Sequence, residues 1–320
     1  MRIKPGIVGL LVAALCCAGA VPIHAQDSPL IRIAASTNDS TTSAIYAVKA
    51  GLFKKAGLNV ELTGMNSGAA VAAAVAGGSV QIGAGSLMSL IVAHEKHVPF
   101  TLVANSAVML SEVLYGALVV KKDSPIRSGR DLNGKTIATP SLKDFNAIAA
   151  MAWVDQNGGD SSTMKFVELS APASLQGVID GRIDTTIIAT PVLTQGLEGG
   201  QIRVLGNAFD AIAKRYIYIG WFTTEDFANK NRDVIDRFAR VMHDAAVYCN
   251  AHHAETADLI VEFAKMDPKV AAGMTRVMFA EYLTAPMIQP MIDAAAKYKL
   301  IEKRFDAQEL ISPYALKPPR

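Results

Sequence analysis

The chain has 320 residues, with 31 Lys and Arg against 29 Asp and Glu, and 51% of its side chains are hydrophobic. That length supports two domains, and the apolar share is enough to fill two cores. A charge this close to neutral argues against nucleic acid and anionic membrane surfaces as partners, because both call for a basic excess.

Arg2 and Lys4 open the chain, an apolar run covers 7–21, and Pro22-Ile23-His24-Ala25 ends in a small residue before Gln26. This is the layout of a cleaved secretory signal over residues 1–25. The run is too short for a spanning helix, which needs ~20 apolar residues. Leu15 precedes Cys16, and Cys16 precedes Cys17, so the small residue that a lipid anchor requires is missing. Without Arg2 and Lys4 the exported chain carries 29 basic and 29 acidic side chains. Only Cys249 survives processing, so no intramolecular disulfide is expected, and its apolar, periodic surroundings predict a buried, inert thiol.

From residue 30 onward short β-branched runs alternate with helical ones. Strands are predicted at 30–34, 58–62, 80–83 and 100–104, with helices at 42–50, 69–76 and 87–96. Gly51 and Gly77 serve as helix exits. The order then restarts: strands at 134–138, 165–169, 183–188 and 202–205, helices at 146–156 and 174–179, and glycine exits at Gly158-Gly159 and Gly181. The segments 74–83 and 177–186 share one grammar of helix, glycine exit and strand. The reading is therefore an α/β protein with two similar units, each a mostly parallel sheet covered by helices. After Trp221-Phe222 the strands are predicted to stop, and helices at 232–252, 254–265, 268–278 and 285–299 must pack on an existing unit. Lobe one is placed at 28–113 plus 220–315 and lobe two at 114–219.

Ligands of open α/β sheets sit at the carboxyl ends of strands, where loops lead into helix N-termini with free N–H groups and partial positive charge. The loops in question are 36–42, 66–69, 85–87, 139–146 and 189–191, all short and rich in hydroxyls. The same residue types also cap helices with no ligand present, but the seven polar residues 36–42 exceed what one cap requires. Asp39 and Asp144 suit a basic group on a ligand and Lys143 an acidic one, so ligand charge stays open.

The blocks Ile45-Tyr46-Ala47-Val48-Lys49-Ala50-Gly51-Leu52-Phe53, Gly57-Leu58-Asn59-Val60-Glu61, Asn66-Ser67-Gly68 and Arg130-Asp131-Leu132-Asn133-Gly134-Lys135 resemble the periplasmic substrate-binding proteins of ABC importers. The branch is the one with sulfonate, taurine, nitrate and thiamine-precursor (pyrimidine) binders. The chain departs from it at Gln81, where the family often has an acidic residue, while Asp184 keeps one in lobe two. The resemblance implies a two-lobe, type II binding-protein fold that closes about a two-stranded hinge. It also implies a monomeric periplasmic receptor that hands a small molecule to an inner-membrane ABC permease, with no cofactor. By position, the cleft residues it implies are Ser36, Thr37, Asn38, Asp39, Ser67, Gly68, Ser86, Ser141, Asp144, Asn146 and Thr190. Trp221, at the return into lobe one, suits either a flat ligand or the core.

The same fold hosts enzymes. One relative builds a thiamine pyrimidine with a cysteine-rich motif, and another hydrolyses an aromatic sulfinate with a cleft cysteine. Both need a thiolate on a cleft loop, whereas Cys249 lies on a late helix. Metal binding by His243, His252, His253 and Glu255 is disfavoured, because adjacent histidines point to different helix faces. A receptor that presents its ligand to a sensor kinase remains as an alternative to transport.

Overall fold

The computed structural model describes residues 29–65, 67–142 and 144–319; the expected signal segment, Asn66 and Lys143 lie outside the described residues. In chain order the first half runs β1 (Leu30–Ser36), α1 (Thr42–Lys49), α2 (Leu52–Lys55), β2 (Asn59–Met65), α3 (Gly68–Ala76), β3 (Ile82–Ser86), α4 (Leu87–Glu95), β4 (Phe100–Asn105), β5 (Ala107–Leu110) and β6 (Gly116–Lys121). Next come β7 (Thr136–Thr139), α5 (Phe145–Gln156), β8 (Lys165–Glu168), α6 (Ala171–Ile179), β9 (Thr185–Ala189), α7 (Val192–Glu198) and β10 (Ile202–Gly206). The last part holds β11 (Arg215–Ile217), β12 (Ile219–Thr224), α8 (Glu225–Lys230), α9 (Arg232–Ala251), α10 (Ala257–Ala264), α11 (Pro268–Gly273), β13 (Met278–Phe279) and α12 (Ala285–Lys297).

Two five-stranded sheets repeat one plan, β2-β1-β3-β12-β4 and β8-β7-β9-β6-β10. In each, four strands point one way and one is inverted: β12 runs against β3 and β4, and β6 against β9 and β10. The inverted strand is the one by which the chain arrives from the other lobe, so its direction follows from the crossing and not from a helical return. Between the sheets β5 pairs antiparallel with β11 and with β13, a three-stranded hinge that joins the lobes.

Along the inner strands of the first sheet, both faces are buried. Ile31 and Ile33 of β1 and Trp221 of β12 face Phe53, Phe238 and Met242, whereas Ala34 and Phe222 face Val71, Leu87 and Ile91. α9 packs on α1 and β4, while α12 packs on α4 and β11, so the late helices cover the first sheet and the hinge. The Ala-rich α3 sits close on β3: a Cβ at Gly83 would fall 2.5 Å from Val71 and 2.9 Å from Val75.

Two sequence expectations need correction. The strands do not stop after Phe222, because Met278 and Phe279 pair with Val108 and Ala107. The helix foreseen at 268–278 ends at Gly273, and Arg276 then holds the chain extended by reaching Asp39. Gly77 closes α3 as expected, and Gly78 after it takes the left-handed turn at φ +73°. Gly83→Ala is expected to push α3 off β3 and cost about 1–3 kcal/mol, read as a lower denaturation midpoint with an unchanged slope.

Candidate functional site

β1, β2 and β3 are parallel, so Ser36, Met65 and Ser86 end at one edge of the first sheet. Thr139, Glu168 and Ala189 end at the matching edge of the second. Tyr218, between β11 and β12, marks where the two edges meet. Its carbonyl accepts from Leu87 N at 2.9 Å, at the start of α4. Its ring lies 6.0 Å from Phe145, the first residue of α5, and 6.0 Å from Tyr115, whose carbonyl accepts from Thr190 N at 2.9 Å. The loops that carry Ser86, Asp144 and Thr190 therefore converge on one aromatic floor, completed by Phe209 stacked 4.7 Å from Phe145. That floor is closed: the void bounded by Tyr115, Tyr218 and Arg276 measures about 10 Å³. Space opens further out, in a crevice of about 140 Å³ between α7, with Pro191, Gln195 and Glu198, and α11, with Lys269 and Gly273. A separate depression of about 620 Å³ runs along Arg232, Arg240 and Tyr314 on an outer face and touches none of these loops.

Most of the expected site residues organise their own loops. Asn38 accepts from Ser40 N at 3.1 Å and from the Ser40 hydroxyl at 2.5 Å, leaving Ser36 half-buried and Thr37 exposed beside it. Ser67, extended at φ −157°, caps α3 by accepting from Ala70 N at 3.2 Å, with Gly68 as the first helical residue. Ser86 precedes α4 without a side-chain cap bond. The Ser141 carbonyl accepts from the Thr139 hydroxyl at 3.0 Å. Asp144 caps α5 by accepting from Ala147 N at 2.9 Å, and its other oxygen accepts from Asn146 Nδ2 at 3.0 Å. The Thr190 hydroxyl reaches the Thr275 carbonyl at 3.5 Å, a contact between the second lobe and the segment after α11.

Burial lifts the Asp144 carboxyl above the usual carboxylate range, against the pull of its cap bonds to Ala147 and Asn146. A raised pKa means that the fold prefers the protonated form. The resulting stability is complete below the unfolded value and is lost as pH rises through the folded one. Asparagine caps as well as aspartate. Asp144→Asn is therefore expected to be at least as stable as the parent at pH 7, and to remove the loss of stability that the parent shows as pH rises above the ordinary carboxylate range.

Burial weighs against two of the expected contacts. Asp39 is 5% exposed and fully engaged: Arg276 binds both its oxygens, with Nε at 3.0 Å from each, while Val277 N donates at 2.7 Å and the Thr42 hydroxyl at 2.9 Å. No lone pair is left for a ligand. Trp221 is 0% exposed and meets Phe238 edge-on at 5.6 Å in the core, so no face remains for stacking. Sequence reasoning missed Tyr115, Phe145, Tyr218 and Arg276. Nothing in sequence pairs Arg276 with a residue 237 positions away.

The histidines bind locally. His243 Nδ1 lies 3.0 Å from the Glu281 carbonyl, and His252 Nδ1 lies 2.8 Å from the Tyr248 carbonyl. Cys249 is buried, and burial pushes its thiol up to about 12, which removes the thiolate that a cleft nucleophile requires. Maleimide at pH 7.5 should leave the native protein unlabelled and modify Cys249 only after denaturation.

Two alike α/β lobes joined by a strand-paired hinge, with helix starts gathered at the junction, form the fold of periplasmic binding proteins. Residues 38–256 match the sequence model of the NMT1/THI5-like family, and the chain belongs to that family. The taurine-binding periplasmic protein of Escherichia coli K12 is 29% identical over 195 residues, which are 60% of this chain and 58% of that protein. Among solved structures, the periplasmic aliphatic sulphonate binding protein of Escherichia coli aligns at a TM-score of 0.74 with 17% identity, over 92% of this chain and 96% of that one. The alkanesulfonate-binding protein of Xanthomonas axonopodis, solved with MOPS bound, aligns at 0.68 with 16% identity, over 90% and 99%. No helix among the described residues is long and apolar enough to cross a membrane.

Proposed function

We propose that the protein is an exported, monomeric solute receptor of the periplasm, which captures a small organic molecule between its lobes and hands it to the permease of an ABC importer. The observation that carries this reading is the convergence of strand ends from two separate sheets on the Tyr218 hinge. Each sheet contributes helix N-termini whose free N–H groups suit an anionic or strongly accepting group. The sheet memberships support a first lobe at 28–113 plus 220–315 and a second at 114–219. The taurine and sulfonate binders among the relatives favour a sulfonate-like anion as the accepting group. Asp144, beside the start of α5, adds a group for a donor on the same ligand.

An enzyme reading finds no support in Cys249, whose thiol is buried and held neutral. Binding without turnover follows. A receptor must also release what it captures, so Kd of roughly micromolar, about −8 kcal/mol, is expected. At ligand near 100 Kd the folded state gains ~2.7 kcal/mol, or about 5 °C in melting temperature. A thermal-shift panel of taurine, alkyl and aryl sulfonates, aromatic carboxylates, nitrate and aminopyrimidines should give one such class. Asn146→Ala and Thr190→Val should abolish the shift while leaving ligand-free melting nearly unchanged. Retention of the full shift by both, or conversion of any ligand seen by mass analysis, would overturn the reading.

A further inference from the structure

The lobes also touch at a place that the cleft does not use. Asp155 lies eleven residues beyond Asp144 on α5, so it sits about 16 Å from the cleft end of that helix. There its Oδ2 accepts from the hydroxyl of Tyr298, the residue that ends α12, at 2.9 Å, while its Oδ1 accepts from Ser161 N at 2.9 Å. α5 belongs with the second sheet, whereas α12 packs on α4 and β11. The bond therefore spans the two lobes, and both of its groups are half-buried. Beside it runs a crevice of about 380 Å³ lined by Ala152, Gln156 and Ile212 on one side and Pro290, Asp293 and Tyr298 on the other. Between this contact and the cleft lies the hinge: α12 covers β11, and Phe145 at the other end of α5 faces Tyr218.

Two bodies that rotate about a hinge approach on one side and separate on the other. The Asp144 and Thr190 loops move toward the Ser36 and Ser86 loops as the lobes close, and the far end of α5 then draws away from α12. We propose that the Tyr298–Asp155 hydrogen bond is a latch that resists further closure of the lobes and so sets ligand affinity from the far side of the hinge. This rests on the receptor reading for its consequence in binding, but not for the latch itself. A receptor whose closed form is only fractionally populated binds with its intrinsic affinity reduced by that fraction. Weakening the latch raises the fraction. The bond is also of a kind that a single atom removes, since Phe keeps the ring of Tyr298 and deletes only the donor. Burial and the donated bond raise the Tyr298 hydroxyl above the usual phenol range, so the latch stays protonated through the physiological pH range.

The test reads the lobes directly. Spin labels at Glu198→Cys and Lys269→Cys, exposed on either side of the cleft rim, report the inter-lobe distance, with buried Cys249 protected from labelling. In ligand-free protein Tyr298→Phe is expected to move population toward the shorter distance, and Asp155→Asn to move it the same way by less. With taurine or hexanesulfonate as calorimetric probe, whichever the parent binds, Tyr298→Phe should tighten Kd about threefold or more. An unchanged distance distribution, or weaker binding in the variant, overturns the latch. If the parent binds neither probe nor any other member of the panel, the receptor reading fails by itself, and the ligand-free distances still decide the latch.

Discussion

The buried ion pair between Asp39 and Arg276 is the constraint on which the junction of the two lobes depends. It joins three segments that are far apart in sequence. Asp39 fixes the turn after β1, the Arg276 Nη1 donates to the His253 carbonyl at 2.7 Å after α9, and Val277 N follows into β13, which edges the hinge sheet. Side-chain exposures of 9% and 6% place the pair out of water. A single buried charge left without its partner costs about 3–5 kcal/mol. The geometry answers that cost with two guanidinium contacts, a backbone N–H and a hydroxyl on one carboxylate, so every acceptor site of Asp39 is used. What looks in sequence like a polar binding loop is, at its centre, a fastening.

The two lobes show how one plan tolerates different residues. In the second, Asp184 N donates to the Thr136 carbonyl at 3.2 Å, and the Asp184 carboxylate accepts from Thr136 N at 2.9 Å. In the first, Gln81 N donates to the Arg32 carbonyl at 2.9 Å, and the Gln81 amide oxygen accepts from Arg32 N at 2.8 Å. Glutamine thus makes the same reciprocal pair one methylene further out and without charge. The departure from the family pattern at Gln81 is conservative in geometry. It also leaves the amide NH2 free to donate to the Gly78 carbonyl at 3.2 Å, which braces the left-handed exit from α3.

The parts of the fold legible in sequence were those written in local periodicity. β1, β2, β4, β8 and β10 and the helices α1, α3, α4, α5, α9 and α12 follow from patterns of period 2 or 3.6 within a few residues, and the repeat followed from their order. β5, β6, β11 and β13 were not legible: β5, β11 and β13 span four, three and two residues, too short for a firm alternation, and β6 is buried along nearly its whole length, so it shows none. In the site, Asn38, Ser67 and Asp144 were readable as the starts of helices and are their caps. Whether such a residue also meets a ligand is invisible locally, because a cap and a ligand contact ask for the same side-chain types. The burial of Asp39 was hidden because its partner Arg276 stands 237 residues away, and that of Trp221 because it depends on α9 folding back over β12 to bring Phe238 against it.

That capping shapes how the cleft can select. The Asn38, Ser67 and Asp144 oxygens are committed to N–H groups of their own helix starts. A cap satisfies one or two of the four N–H groups that a helix start leaves open. The remainder stay oriented outward with the helix dipole behind them, and a ligand meets preformed donors with no side-chain ordering to repay. Such donors recognise accepting oxygens in general and discriminate poorly among anions. In the receptor proposed above, discrimination has to come from what closes over the rest of the molecule: Thr190 and Asn146 from one lobe, the Ser36 and Ser86 loops from the other. Selectivity in such a receptor is tied to lobe closure, and any contact that biases the hinge, on either side of it, acts on affinity for every ligand in the same direction.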